Sequence, residues 1–258
     1  MLELRVLGEL EVVRDGAPMA LPPSRKTRAL LGYLALTRRP HRRERLCEIF
    51  WDVPDDPRGA LRWSLSKIRP FVDDPGCSRL IADRQTVELL TEALDLDFFD
   101  AQACAGAEAP ATGELARAAS SFRGPLLADL DLPLNTEFHT WLLGLREDAR
   151  KLQLQILRAL SERLAATPQE ALLYVRELVR IDPYDEAGWA LLISHLAAVG
   201  RRDNNMKPQR AYCARSAAGR VRCCEHGERR KHQPLVRPIA TRPRRSLSRP
   251  SRSQQGSR

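Results

Sequence analysis

The chain has 258 residues, which leaves room for about two domains, and its net charge is +9. No segment approaches the roughly 18 consecutive apolar residues of a membrane-spanning helix, and the N-terminus interleaves charged with apolar residues, unlike a secretory signal. We therefore expect a cytoplasmic protein that makes no contact with membranes.

The positive charge is unevenly distributed along the chain. Residues 201–258 hold 17 Lys and Arg against 3 Asp and Glu, so the first 200 residues are acidic overall. The high isoelectric point is therefore no evidence that a folded domain binds nucleic acid. A local excess is more informative, because residues 24–69 carry 12 basic and 5 acidic residues within a segment that has the pattern of a folded domain.

The first 21 residues predict a small antiparallel sheet. Apolar residues alternate with polar ones from Leu2 to Val12, which is the period of strands with one buried face. Asp15-Gly16 is a typical hairpin turn, and residues 19–21 are expected to form the returning strand.

Three helices are predicted next. Ser24 is a suitable N-cap for a helix that ends near Leu36, and residues 43–51 show the spacing of a second short helix. Asp56 can cap a third helix with Pro57 at its first position, where the missing N–H group costs nothing.

The third helix, residues 58–71, is predicted to have one buried and one exposed face. Leu61, Leu65 and Ile68 follow each other at spacings of four and three and share the buried side. An aromatic ring, a hydroxyl and an ammonium group between arginines suit a DNA groove better than a protein core, although Trp63 could instead pack under the next hairpin. The expected base-contacting residues are Trp63, Ser66, Lys67 and Arg69.

Two short strands, residues 79–82 and 86–90, predict a hairpin that could form a wing, with Arg84 at its tip. Basic residues on the first three helices are either phosphate contacts or the solvated faces of surface helices. The candidates for contacts with the DNA backbone are Arg25, Lys26, Arg28, Arg42, Arg43 and Arg62.

The second half of the chain, from Leu94 to Gly200, has a helical pattern almost throughout. A long amphipathic helix is expected from residue 135 or 136. Residues 167–170 predict a capping box with proline at the first helical position, and Asp185 is expected to cap the last helix. Two such helices joined by a short turn form a helical hairpin of tetratricopeptide type.

The sequence offers little support for catalysis or metal binding. It contains no GxxxxGK, GxGxxG, HExxH or GxSxG motif. Cys213, Cys223, Cys224 and His226 form a cluster, but it lacks the paired short spacings of a zinc site. We expect no enzyme, no cofactor and no bound metal.

The order of these segments and their amino-acid sequences resemble those of a known family. The stretches LRVLGELEVVRDG, SRKTRALLGYLAL, RRERLCEIFW and ALRWSLSKIRPFV are similar to the OmpR-like winged helix of the SARP-type antibiotic regulators. The stretches FFDAQ and GPLLADLDLP, the helix around Trp141 and residues 179–189 resemble the bacterial transcriptional activation domain of that family. The resemblance covers about residues 2–202.

The resemblance implies an α+β winged helix-turn-helix domain at residues 1–92 and an all-α, tetratricopeptide-like activation domain at 94–202. Residues 203–258 then form an arginine-rich tail that is expected to be disordered because it lacks a hydrophobic period. Our hypothesis is that this tail is a frameshifted or otherwise unevolved sequence that truncates the regulator.

A regulator of this family is expected to bind promoter repeats in double-stranded DNA, to recruit RNA polymerase and to associate with the nucleoid, with a homodimer as one option. By position, Trp63, Ser66, Lys67 and Arg69 fall on the recognition helix in the major groove, and Arg84 falls on the wing. Pro70 departs from the family pattern, and because it removes the helical donor to the Ser66 carbonyl, it affects the reach of Arg69.

Two other functions remain open at this point. The helical repeats could form a protein-interaction scaffold, with a winged helix that docks proteins and binds no DNA. Alternatively, a truncated regulator could bind DNA without activating transcription.

Overall fold

The computed structural model describes residues 1–51, 56–92 and 94–200. The predicted tail and the cluster around Cys213 lie outside these residues. Within the described part of the chain, no helix is long and apolar enough to cross a membrane, and no group of His, Cys, Asp and Glu side chains is arranged to hold a metal ion.

The N-terminal sheet begins with strands β1 (Leu2–Arg5), β2 (Glu11–Arg14) and β3 (Ala17–Pro18). Asp15 and Gly16, with φ values of 50° and 81°, form the two-residue turn that was predicted. Because the turn needs only these two residues, Arg14 already pairs with Ala17. The predicted return strand at residues 19–21 was therefore placed too late.

Helices α1 (Arg25–Thr37), α2 (Arg43–Phe50) and α3 (Pro57–Val72) follow as predicted, with β4 (His41–Arg42) between the first two. The Ser24 hydroxyl accepts the Thr27 N–H at 3.3 Å, and the Asp56 carboxylate accepts the Gly59 N–H at 2.7 Å. Both predicted N-caps form because each requires only a side chain and a backbone donor three residues apart.

The predicted hairpin consists of β5 (Leu80–Ala82) and β6 (Thr86–Leu89). Strand β4 adds to its other side, in the order β4-β6-β5, with His41 opposite Val87. This two-residue strand was not predicted, since two residues are too few to show a period. We call the β5-β6 hairpin the wing.

The second half opens with β7 (Asp95–Leu96), which lies parallel to β1 and extends the first sheet in the order β3-β2-β1-β7. This strand was not predicted, and it is the exception in a half that was expected to be helical almost throughout. The helices are α4 (Asp97–Gly106), α5 (Thr112–Ser121), α6 (Thr136–Arg163), α7 (Pro168–Ile181) and α8 (Glu186–Ala198).

Two of the predicted helix caps do not form in the expected way. Thr167 occupies the N-cap position of α7 and Asp185 that of α8, but neither side chain bonds to the first turn of its helix. The Asp185 carboxylate instead pairs with Arg158 of α6 at 2.5 Å. A tertiary partner has therefore replaced the local cap, and it ties α8 to α6.

A single buried cluster extends from Leu2 to Leu160 and includes the N-terminal sheet, helices α1 to α3 and much of α4 to α6. A second buried cluster joins the end of α6 to α7 and α8. The α+β region followed by an all-helical region confirms the predicted fold class. The boundary between residues 92 and 94 stays a prediction, and both the pairing of β7 with β1 and the first cluster extend across it.

The contact between the two halves, which we call the junction, is formed by α6 and residues 122–131 on one side and by β1, α1 and α2 on the other. Its centre is aromatic. The Phe50 and Phe138 rings lie 5.2 Å apart, and those of Tyr33 and Trp141 lie 4.7 Å apart. Such pairs add to the apolar burial and favour one relative placement of the packed elements.

The edge of the junction is a set of backbone pairings. The N–H groups of Arg123, Leu127 and Ala128 donate to the carbonyls of Leu7, Val6 and Gly8 at 2.8 to 2.9 Å. Gly8 has a φ of +145°, and a Cβ atom there would lie 3.1 Å from Cβ of Arg123. Glycine therefore allows this close approach, and a larger residue would separate the two segments.

The buried carboxylate of Asp97 lies at the same edge. Its two oxygens accept the Val6 N–H at 2.8 Å and the Leu7 N–H at 3.1 Å, and Arg123 lies 3.6 Å away. The first residue of α4 thus satisfies two backbone donors just beyond the end of β1, where the sheet offers them no partner.

Candidate nucleic-acid interface

Helix α3 separates its residues as its spacing predicted. Leu61, Leu65 and Ile68 expose at most 4% of their surface, whereas Trp63 exposes 49%. Ser66, Lys67 and Arg69 are exposed as well. The outer face of α3 is therefore open, and Trp63 is not buried under the wing.

The outer face of α3 carries only positive charge, since residues 57–72 include no Asp or Glu. The Lys67 ammonium lies 5.6 Å from the centre of the Trp63 ring, one helical turn away. Among the described residues, no carboxylate lies within salt-bridge distance of Lys67. Its ammonium is thus oriented by a cation–π contact that leaves its hydrogen-bond donors available.

Two other predicted base-contacting residues already have partners. The Ser66 hydroxyl donates to the Trp63 carbonyl at 2.6 Å, and Arg69 pairs with Asp73 at 3.2 Å. Helix α3 continues through Pro70 as far as Val72. Ser66 can therefore still accept a bond through its lone pairs, and Arg69 keeps other N–H donors, but both side chains are less free to move than Lys67.

A groove of about 1060 Å³ lies between the wing and the N-terminal turns of α2 and α3. We call it the basic groove, because its lining includes five arginines against three acidic residues. Guanidinium groups lined up in this way can neutralise phosphates of a DNA backbone. The arginines are Arg42, Arg43, Arg58, Arg62 and Arg84.

Ion pairs inside the basic groove are solvent-exposed. Arg58 pairs with Glu44 at 3.0 Å, and the two side chains are 74% and 72% exposed. Arg62 lies 3.8 Å from Asp56. Exposed pairs of this kind are weak and exchange readily for another anion. Sequence reasoning missed Arg58, whose only signal was its position one turn before Arg62.

The wing turn is organised by Asp83. Its carboxylate accepts the backbone N–H groups of Gln85 and Thr86, both at 2.6 Å, and these bonds hold the pKa of Asp83 below its usual value. Arg43 donates from Nε to the Asp83 carbonyl at 2.6 Å. Arg43 therefore supports the wing, while Arg84 at the tip is exposed.

The first turn of α1 lies beside the middle of α3. The hydroxyls of Thr27 and Ser64 are 3.0 Å apart and buried. Arg25 on this turn is exposed and Lys26 is partly exposed. Arg28 differs, because its guanidinium pairs with Asp129 of the junction at 2.9 Å and only 24% of its side chain is exposed.

Comparison with known proteins identifies a family for the second half of the chain. Residues 86–215, just over half of the chain, match the family model described as the bacterial transcriptional activator domain. This match continues past residue 202, where the resemblance was expected to end. No curated protein matches at a significant level.

A solved structure of similar fold is Mycobacterium tuberculosis EmbR in complex with a low-affinity phosphopeptide, with a TM-score of 0.57 and 22% sequence identity. The match covers 84% of this chain and 60% of EmbR, so the chain spans about three fifths of the length of that protein. At this identity the likeness shows the fold alone.

Proposed function

Because the chain belongs to the bacterial transcriptional activator domain family, we propose that it is a sequence-specific DNA-binding regulator that contacts promoter repeats through α3. The family is one of transcriptional activators and not of enzymes. We assign the protein to the cytoplasm, in association with the nucleoid.

The observation that carries this proposal is the pair formed by Trp63 and Lys67 on a helix face without acidic residues. An α-helix fits the major groove of DNA, where a lysine ammonium can donate to O6 and N7 of guanine. The Trp63 ring, half exposed beside it, is suited to apolar contact with a thymine methyl group. These two residues supply base specificity in this proposal.

The basic groove supplies contacts with the DNA backbone. Arg42, Arg58, Arg62 and Arg84 would neutralise phosphates from the wing side, and Arg25 and Lys26 from the start of α1. If roughly six phosphates are neutralised, the logarithm of the binding constant should fall with the logarithm of salt concentration with a slope of about −5. Arg28 contributes only if DNA replaces Asp129 as its partner, whereas Ser66 and Arg69 can contribute through the acceptor lone pairs and N–H donors that their present bonds leave free.

Footprinting of the full chain on the DNA upstream of its own coding region tests the proposal. Lys67→Ala is expected to weaken binding to the protected site by about 1 to 3 kcal/mol and to change binding to a random duplex of equal length far less. Arg42→Ala is the matched control, because a lost phosphate contact weakens binding to both duplexes alike. An equal loss on both duplexes for Lys67→Ala would contradict the proposal.

Residues 94–200 are proposed to contact RNA polymerase, and a homodimer would place two copies of α3 on successive repeats. The alternative, a protein-interaction scaffold, is favoured by Leu173 and Ile193, which are 67% and 43% exposed. Deleting the first 92 residues would not distinguish the two functions, because it would uncover Phe138 and Trp141. Gel-shift titration of the intact chain does, since a scaffold shows no preference for any duplex.

A further inference from the structure

We propose that Asp73, the C-cap residue directly after α3, is a positioning residue that helps to set the angle between the wing and the outer face of α3. The inference rests on the proposed function, in which the outer face of α3 and the wing tip contact the same duplex. It assigns to this carboxylate the bonds that fix the start of the wing relative to α3.

One oxygen of this carboxylate holds the start of the wing. Oδ1 of Asp73 accepts the N–H of Arg79 at 2.8 Å and the N–H of Leu80 at 2.9 Å. Two bonds from one atom to consecutive backbone donors fix both the position and the direction of β5. Bonds to a charged acceptor are about twice as strong as neutral ones.

The second oxygen faces the helix. Oδ2 of Asp73 pairs with Arg69, and only 21% of the Asp73 side chain is exposed. Its backbone carbonyl accepts a bond from Arg14 of β2 at 3.1 Å. Asp73 thus contacts α3, the N-terminal sheet and the wing together, and partial burial makes each contact stronger than an exposed pair.

A reciprocal connection runs from the wing back to the helix. Arg79 donates from Nη1 to the carbonyl of Val72 at 2.8 Å and to the carboxylate of Asp74 at 2.6 Å. Arg14 pairs with the same carboxylate at 3.0 Å. The last carbonyls of α3 have no N–H donor within the helix. They accept bonds from side chains of the wing and of the N-terminal sheet, and these bonds align the two elements with α3.

The wing has a second attachment at its other side, where β4 pairs with β6. Arg79 and Arg43 still hold the wing, so loss of Asp73 should leave the hairpin formed but allow it a limited rotation about the β4-β6 ladder. Such a rotation would move Arg84 at the tip relative to Lys67 on α3. Asp73 accordingly affects the contribution of the wing to DNA binding and leaves that of α3 intact.

Two variants separate the oxygens of Asp73. Asp73→Asn keeps an oxygen that can accept the Arg79 and Leu80 N–H groups, whereas Asp73→Ala removes it. In the full chain without DNA, hydrogen exchange at the Leu80 amide is expected to accelerate about tenfold in Asp73→Ala and to stay near wild type in Asp73→Asn. Unchanged exchange in Asp73→Ala would overturn the inference.

Double-variant binding then tests the role in DNA contact. Arg84→Ala should weaken binding to the footprinted duplex in the wild type and in Asp73→Asn, but by less than about twofold in Asp73→Ala. Lys67→Ala should weaken all three backgrounds equally. A full Arg84 effect in Asp73→Ala, or a lost one in Asp73→Asn, overturns the inference.

The two proposals fail in different ways. If Lys67→Ala and Arg84→Ala both leave DNA affinity unchanged, the proposed function is wrong, and the exchange experiment still decides whether Asp73 positions the wing. If Asp73→Ala does not fold, Asp73→Asn decides, because it must keep both the protection of the Leu80 amide and the effect of Arg84→Ala.

Discussion

The junction and the outer face of α3 are both rich in basic residues, yet they place them in opposite situations. At the junction, Arg146 donates to the carbonyls of Leu126 and Leu127 at 2.8 Å and pairs with Asp131 at 2.7 Å. On α3, the Lys67 ammonium lies over the Trp63 ring and pairs with no carboxylate of the described residues. The number of basic residues therefore does not distinguish the two surfaces. The proposed DNA surface differs from the junction in that the donors of Lys67 are not already satisfied within the protein.

The largest test of this contrast is at the junction. Phe138 is fully buried between Phe50 and Trp141, so Phe138→Ala should lower the free energy of unfolding by about 3 to 5 kcal/mol. Urea unfolding should remain a single transition that includes the N-terminal sheet. Leu143→Ala on the exposed side of α6 is the control, with a change within about 0.5 kcal/mol. Two separate transitions would show that the halves fold independently.

The second test uses the pH dependence of the junction. Burial raises the pKa of Asp97 from 3.8 to about 6, although the N–H groups of Val6 and Leu7 and the charge of Arg123 oppose this shift. The folded protein therefore keeps a proton that the unfolded chain loses. This proton stabilises the folded state by a total of about 3 kcal/mol relative to high pH. The stabilisation is complete below about pH 4 and disappears as the pH rises through about 6.

Urea unfolding of the wild type and Asp97→Asn between about pH 4 and 7 measures this effect. As the pH falls, the free energy of unfolding of the wild type should increase relative to that of Asp97→Asn, because only the wild type takes up the proton. All other carboxyl groups are common to both proteins and cancel. A difference that does not vary with pH would contradict the expected pKa.

A third test compares two arginines that the sequence treated alike. Arg28→Ala should lower the free energy of unfolding by about 1 kcal/mol, because it leaves the Asp129 carboxylate with the Leu10 N–H but without its charged partner. It should not change the salt dependence of DNA binding. Arg42→Ala should instead leave stability unchanged and reduce the magnitude of the log–log salt slope by about 1. If Arg28→Ala reduces the slope as much, Arg28 leaves the junction to bind phosphate.

The smallest effect is expected in the basic groove. Glu44→Gln removes an exposed partner of Arg58 and should change stability by less than about 0.5 kcal/mol. Affinity for a random duplex should rise about two- to fivefold, because Arg58 is released and one negative charge is lost. Glu48→Gln on the same helix is the control, since Glu48 pairs with Arg45 and does not line the groove. Equal gains for both variants would indicate only a general charge effect.

Much of the N-terminal region could be predicted from local pattern. The turn at Asp15-Gly16, the caps at Ser24 and Asp56 and the two faces of α3 depend on spacings of two to four residues, which the sequence displays directly. The same reasoning placed the wing within a residue of its position. It missed β4 and β7, whose two residues gain their structure only from the strands beside them.

The sequence by itself determined which residues of α3 turn outward, because helical periodicity acts over a few residues and needs no distant partner. Only the tertiary structure decided what each basic residue does. Arg28 is bound by Asp129 of the junction, Arg43 by the Asp83 carbonyl of the wing, and Lys67 remains available. The physical reason is that a guanidinium takes its role from the nearest acceptor, and the fold, which brings residues 28 and 129 together, determines where that acceptor lies.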